Sequence, residues 1–494
     1  MIPAKNKRTS SLCPECRRTI EARIFAQGDR VLIEKECGEH GRFEDVYWSD
    51  RQAHDRVETF RFDGEGLENP RTKVERGCPF DCGICPRHLS HTLLAIIDVT
   101  NRCNLNCPIC FANAASAGYV YEPSLEQIRS MLENVRRNRP LPAPALQFSG
   151  GEPTLREDLP ELVRLAKTRG FLNIQVNTNG IKLSQSPDYC RTLKDAGMDT
   201  VYLQFDGLTP DVYQFTRGRD LVEMKMKAIE NCRRADMRSV VLVVTLVKEV
   251  NDHQLGDIIR FAAANFDVIR CINVQPLSFA GRGPKEELKE RRLTITDFMA
   301  RVEEQTDGRI RAADIYPVPS VVPLSKAVGV LTGERYPEFT AHPHCGMATY
   351  FFLDEGTIVP INRQVDVDRI LEAMRAVHRT ASRGHQVLAK GRLLMALRHV
   401  KWGLLRKYLP PLLKTGSFEA LSDIHYRLIL LSAMHFMDAY NFDVERVRRC
   451  VIHYAVPDGR IIPFCSYNNL GYREEIEKAF GRPVQAARSD HAHP

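Results

Sequence analysis

The stretch LLAIIDVTNRCNLNCPICF, residues 93–111, decides how this chain is read. Its first eight residues, Leu93 to Thr100, form an apolar run rich in β-branched side chains, the pattern of a buried strand. That strand runs directly into a loop bearing Cys103, Cys107 and Cys110. Three thiolates on one short loop hold three corners of a cubane cluster, and with no fourth cysteine in the loop one iron stays open to a chelating cofactor. The plainer alternative is a structural zinc or a closed iron site. The residues that follow favour the open cluster.

Outward from this stretch, apolar runs recur at Ala145 to Ser149, Ile174 to Asn177, Thr200 to Phe205, Val240 to Leu246 and Val268 to Gln275. Helical stretches separate them. Ser124 with Gln127 forms a capping box, and Gly170 and Gly197 stand where helices should stop. Six strand–helix units imply a parallel sheet with right-handed crossovers, hence an α/β fold, a partial (β/α)6 barrel with its chemistry at the C-terminal strand ends. At those ends lie Gly150, Gly151 and Glu152, then Asn177, Thr178 and Asn179, then Gln204 and Asp206, then Thr245 and Gln275. Adjacent glycines let backbone approach a ligand, and a carboxylate beside them holds an ammonium group. Ordinary turn chemistry is the competing account of each polar strand end taken singly.

Fifteen cysteines in a chain without a secretory leader point to metal rather than disulfides, and nine of them fall within the first 110 residues. Residues 1–90 are poor in apolar periodicity and rich in Cys and turn residues, as in a domain folded around metal. Cys13 and Cys16 with Cys37 and His40 form two knuckles suited to a tetrahedral zinc or rubredoxin-like iron site, unless His40 is a bystander. Cys78, Cys82 and Cys85 repeat the Cys-x3-Cys-x2-Cys spacing without a preceding strand, which suggests an auxiliary iron–sulfur cluster with an unidentified fourth ligand. After the barrel region, 91–307, the remainder, 308–494, reads as mostly helical. Cys345, Cys450 and Cys465 lie there as candidates for a second auxiliary cluster, with Cys271 as a fourth ligand; buried free cysteines are the alternative. Cys190 and Cys232 read as core.

The cysteine loop with the Ser149-Gly150-Gly151-Glu152-Pro153 segment one strand later resembles the radical S-adenosylmethionine (SAM) superfamily over residues 93 to 280. One detail departs from that family: Ile109, not an aromatic, precedes the last cysteine, and Phe111 follows it. The resemblance implies a SAM-binding [4Fe-4S] cluster on Cys103, Cys107 and Cys110, SAM held at Gly150, Gly151, Glu152, Asn177, Asn179, Gln204, Asp206 and Thr245, and cleavage of SAM to a 5′-deoxyadenosyl radical. A low-potential donor such as ferredoxin or flavodoxin would supply the electron. The order of cysteine groups resembles the archaeal tetraether lipid synthase branch, which implies tail-to-tail coupling of lipid alkyl chains. The alternative within the same branch is methylation of a pterin precursor, with the methyl group coming from a donor other than a cobalamin domain.

Between Ala373 and Phe418 there are ten Lys or Arg and no Asp or Glu, with Leu393, Leu397, Val400 and Leu404 at helical spacing. A basic amphipathic segment of this kind suits an anionic lipid surface, and a solvated helix face is the plain alternative. The N-terminal residues have no apolar core, and no apolar run reaches bilayer length, so the expectation is a cytoplasmic enzyme with peripheral membrane contact. No RNA-binding motif supports a nucleic-acid partner.

Overall fold

The computed structural model describes residues 7–114, 118–403 and 428–483. Six parallel strands form the centre of one large sheet: Leu94–Thr100, Ala145–Gly150, Asn173–Thr178, Thr200–Gln204, Val240–Leu246 and Ile269–Pro276, side by side in chain order. We call them barrel strands one to six. Each matches a predicted run to within a residue at either end, because apolar side chains on the helix-facing side make every one recognisable. The capping box at Ser124 is formed, with Gln127 N–H donating to the serine hydroxyl and the Gln127 side chain accepting from Ser124 N–H. Gly170 and Gly197 both adopt positive φ after helices.

Two strands from the C-terminal region extend the parallel array at both edges. Ile429–Met434 pairs with barrel strand six, and Ile452–Ala455 pairs with barrel strand one. Antiparallel strand Gly346–Asp354 then borders Ile429–Met434. The region 308–494, read as mostly helical, therefore also supplies strands that flank the six-stranded centre. Ile429–Met434 and Ile452–Ala455 are short runs of six and four residues among turn residues, whereas Gly346–Asp354 spans nine.

The N-terminal segment is a four-stranded antiparallel sheet, Lys7–Leu12, Thr19–Gln27, Arg30–Cys37 and Gly41–Trp48, followed by the helix Arg51–Glu58. Of the predicted basic stretch, the described part holds the helices Val367–Ala381 and Gln386–Ala396; residues 404–418, with Leu404, lie outside the described residues. No described helix is long and apolar enough to cross a membrane.

Candidate active site

The cysteine loop and the glycine pair are fitted to one another by backbone. Gly151 N–H donates to Thr100 O at 2.7 Å, and Glu152 N–H donates to Arg102 O at 2.8 Å. A Cβ on Gly150 would stand 2.2 Å from Thr100 O, and one on Gly151 2.1 Å from Arg102 O. Gly150 also has φ +121°, where only glycine is at ease. The glycines are thus required so that the cysteine loop itself can lie against the end of barrel strand two. Sequence reading had assigned that closeness to a ligand alone.

Cys103, Cys107 and Cys110 line a cavity of about 440 Å³ together with Gly150, Gly151 and Glu152. Burial pushes the Cys103 thiol up to about 12 and raises Cys107 as well. Thiolates in that setting need positive charge beside them, and a cluster's iron supplies it. The three-thiol donor set therefore fits the open cubane. Glu152 is 1% exposed and accepts four hydrogen bonds: from Thr154 N–H, from the Thr154 and Thr178 hydroxyls, and from Asn179 N–H at 2.7 Å. Its carboxylate braces the ends of barrel strands two and three before it meets any ligand. Asn179 Nδ2 in turn donates to Asn104 Oδ1 of the cysteine loop at 2.7 Å, and Asn177 Nδ2 donates to Ser149 Oγ at 3.2 Å.

Asp206 corrects one expectation. It is fully buried behind the cavity wall, where Arg217 binds it through two nitrogens at 2.6 and 2.9 Å and the Thr216 hydroxyl and Thr245 N–H also donate to it. These donors hold its carboxyl below the usual range against the cost of burial. The cavity meets Arg217 instead, which donates to Ile109 O at 3.0 Å and to the Thr245 hydroxyl at 2.9 Å. Arg217 clamps the cysteine loop, and Asp206 orients the clamp. Lys225, likewise unforeseen, is wholly buried and donates to Asn179 O and to Gln204 Oε1 at 2.7 Å; burial brings its ammonium down to about 7. Gln204 Nε2 is left without a hydrogen-bond partner at the cavity. A buried donor of this kind is an anchor for a polar ligand.

Below this mouth the barrel interior carries amides and hydroxyls from strands two, three, four and six, with Leu94, Ile96, Val241 and Val243 completing the wall. Gln147 Nε2 donates to Gln175 Oε1 at 3.0 Å, and Gln175 Nε2 donates to Asn173 Oδ1 at 2.8 Å. Across the cavity, Gln275 Nε2 donates to the Tyr202 hydroxyl at 3.1 Å, and Asn273 Nδ2 also reaches that hydroxyl. The period-two alternation Asn173, Gln175, Asn177 is plain in the sequence and is the signal by which this wall is recognisable.

At the N-terminal site the ligand atoms of Cys13, Cys16, Cys37 and His40 all lie within 4.8 Å of one another. The Cys16 to Cys37 sulfur separation of 3.9 Å is near the edge of a tetrahedron with zinc–sulfur bonds of about 2.3 Å. Cys78, Cys82 and Cys85 line a small space with His88 and Arg448. Cys345, Cys450 and Cys465 are brought together although far apart in sequence: burial and then the Cys465 charge, with Cys345 adding, push Cys450 upward. Buried Arg446 faces them and raises its own pKa against Cys345 and Cys465. Cys271 does not join this group. It pairs with Leu430 near the start of the edge strand, whereas Cys345 lies past Met434 at the other end, its carbonyl accepting from His435 N–H at 3.0 Å. Cys271 faces Ser432 Oγ at 3.8 Å, and burial raises its thiol to about 12. Cys190 and Cys232 are fully buried in the core.

Comparison with known proteins now bears on this geometry. Residues 97–262 match the radical SAM superfamily, and residues 6–49 match the HMPTM N-terminal zinc ribbon domain. A 7,8-dihydro-6-hydroxymethylpterin dimethyltransferase of Methanocaldococcus jannaschii is 49% identical over 98% of this chain and 97% of its own length. The chain belongs to the radical SAM superfamily. A probable GTP 3′,8-cyclase of Methanothermobacter marburgensis is 29% identical over 43% of this chain and 66% of its own. Among solved structures, Streptococcus suis SuiB bound to S-adenosylmethionine matches with a TM-score of 0.36 and 18% identity, covering 44% of this chain and 45% of that one. This radical SAM enzyme uses a [4Fe-4S] cluster and SAM, with a further metal in the ribbon. The expectation of tail-to-tail lipid coupling is overturned, because the relative that matches along the full length is a pterin dimethyltransferase.

Proposed function

We propose that this radical SAM enzyme methylates a reduced pterin of the 6-hydroxymethyl-7,8-dihydropterin type. The observation that carries this reading is the carboxamide-lined barrel interior, Gln147, Gln175, Asn173, Asn273 and Gln275 with Tyr202. Such a wall keeps donors and acceptors to spare for the edges of a nitrogen heterocycle, which an alkyl chain would leave unused. The near full-length pterin relative supports the same substrate class. A cavity of about 440 Å³ is in the range that encloses small cofactors and substrates.

In this reading Cys103, Cys107 and Cys110 would hold the SAM-binding cluster, which together with SAM supplies a carbon radical able to take hydrogen from an unreactive C–H bond. Everything else is positioning. Arg217 and the Gly150–Gly151 backbone hold the loop, Glu152 fixes the strand ends, and Gln204 Nε2 is the free donor for the polar part of the bound ligand. The Cys78, Cys82, Cys85 group and the Cys345, Cys450, Cys465 group would hold auxiliary clusters, with residues 450–466 shared between them: Cys82 Sγ lies 3.2 Å from Ser466 Oγ, and His88 Nε2 2.8 Å from Cys450 O.

The test is anaerobic incubation of the reconstituted protein with SAM, a low-potential reductant, a one-carbon donor and 6-hydroxymethyl-7,8-dihydropterin, followed by mass spectrometry. Pterin heavier by one or two methyl groups, with 5′-deoxyadenosine formed in step, is the expected result. Formation of 5′-deoxyadenosine with unchanged pterin across candidate methyl donors would remove the substrate assignment and leave the radical SAM assignment standing.

A further inference from the structure

A second His and carboxylate cluster lies outside the ribbon and the barrel mouth, and outside both spans matched by family comparison. His54 and Glu58 stand one turn apart on the helix Arg51–Glu58, and His344 lies just ahead of strand Gly346–Asp354. One ligand atom from each lies within 4.8 Å of the others. The two imidazole centroids are 4.7 Å apart, and Trp48 and Tyr47 wall the site with ring centroids 4.9 and 5.3 Å from His344. We propose that His54, Glu58 and His344 bind one divalent transition-metal ion, zinc by the character of the donors.

Proton accounting shows why a cation is needed between them. The Tyr47 hydroxyl has a single hydrogen and donates it to the Asp443 carboxylate at 3.0 Å. His344 Nδ1, 3.1 Å from the same hydroxyl, must then be the N–H donor to it, which leaves a lone pair on His344 Nε2. That nitrogen lies 3.0 Å from Glu58 Oε1, and with the hydrogen on Nδ1 nothing bridges the two atoms. Two lone-pair atoms meet in a buried, aromatic-walled space.

His54 repeats the arrangement. Its Nδ1 lies 3.1 Å from Asp55 Oδ1, so Nδ1 carries the hydrogen and Nε2 is free to ligate. In both cases the second ring nitrogen is oriented by an oxygen partner, the outer-shell pattern of metal-bound histidine. Glu58 is also gripped by Arg61 at 2.6 and 2.7 Å, and its carboxylate keeps lone pairs for an ion. His342 is not a ligand. Its Nδ1 accepts from His344 N–H at 3.2 Å, so its own hydrogen sits on Nε2. Imidazole and carboxylate donors suit zinc, with iron(II) next. The ion would pin the helix that leaves the ribbon to the segment that delivers Cys345, so its place in the molecule is that of a staple between the N-terminal sheet and the edge of the barrel sheet.

Crystals of the anaerobically purified full-length holoenzyme, measured on both sides of the zinc and iron absorption edges, test the proposal directly. A single-ion anomalous peak bounded by His54, Glu58 and His344, separate from the four-ligand ribbon site, is expected. Metal analysis provides the second measurement: His344→Ala and Glu58→Gln should each lose one equivalent of that metal while acid-labile sulfide and ribbon zinc are unchanged. No peak at this position, in crystals as grown and after soaking in zinc, overturns the proposal. So does unchanged metal content in a folded His344→Ala protein.

Discussion

Cys78 to Cys85 and Cys103 to Cys110 carry the same cysteine spacing only 25 residues apart, and the molecule places them in opposite settings. The later loop leaves a barrel strand, lies against a glycine pair that admits its backbone, and opens on a cavity of about 440 Å³. The earlier loop faces a space of only about 20 Å³ and is held down from the C-terminal side, where the Tyr472 hydroxyl donates to Phe80 O at 2.7 Å. A ligand spacing states which metal group a loop fits. What surrounds the loop states whether anything else reaches that group.

Four changes break or sharpen this contrast, all read as SAM cleavage to 5′-deoxyadenosine. Cys107→Ser should abolish cleavage and remove the iron of one cluster, whereas Cys82→Ser should also remove the iron of one cluster yet leave cleavage within roughly threefold, under about 1 kcal/mol in the barrier. Iron analysis beside the cleavage assay separates them; equal loss of cleavage in both would dissolve the contrast. Next, Gly151→Ala sets a Cβ 2.1 Å from Arg102 O, and the displaced loop should cost roughly a hundredfold, about 2.7 kcal/mol. Arg217→Lys keeps the charge but not the fork that binds Asp206 and Ile109 O together, and about tenfold is expected, with cluster absorbance retained.

A separate effect, on stability rather than on cleavage, belongs to the helix Tyr472–Phe480, whose Arg473 pairs with Asp98 of barrel strand one. Burial first, then the neighbouring Asp98 charge, raise Glu477 to about 7 despite Arg473. Because its folded pKa exceeds the unfolded value, its contribution to stability is complete below about pH 4.5 and is lost as pH rises through 7, on the order of 1–3 kcal/mol in all. Urea melts of wild type and Glu477→Gln across that window should converge at low pH; identical pH slopes would sink the assignment.

The six central strands were legible because each presents an unbroken apolar face to the helices, and the three thiols of the active loop because spacing and a preceding strand coincide. Arg217 and Lys225 were not, since each looks like an ordinary basic residue on a helix and acquires a role only when the fold folds it inward onto Asp206 and Gln204. Cys345, Cys450 and Cys465 were grouped from the sequence, and the same limit explains the mistaken addition of Cys271, whose strand carries it to the opposite end. The polar barrel interior lay in plain view as alternation along barrel strand three. The strand ends alone do not reveal it.

Barrel strand one takes as its outer neighbour Ile452–Ala455, made hundreds of residues later. During synthesis on the ribosome, the cysteine loop emerges on a strand with one flank unpaired, and it stays so until residues 452–455 have been translated. Contacts of such sequence separation are slow to form. In the reading that Cys345, Cys450 and Cys465 hold metal, loading there would wait for the same late segment, which carries Cys450 and Cys465.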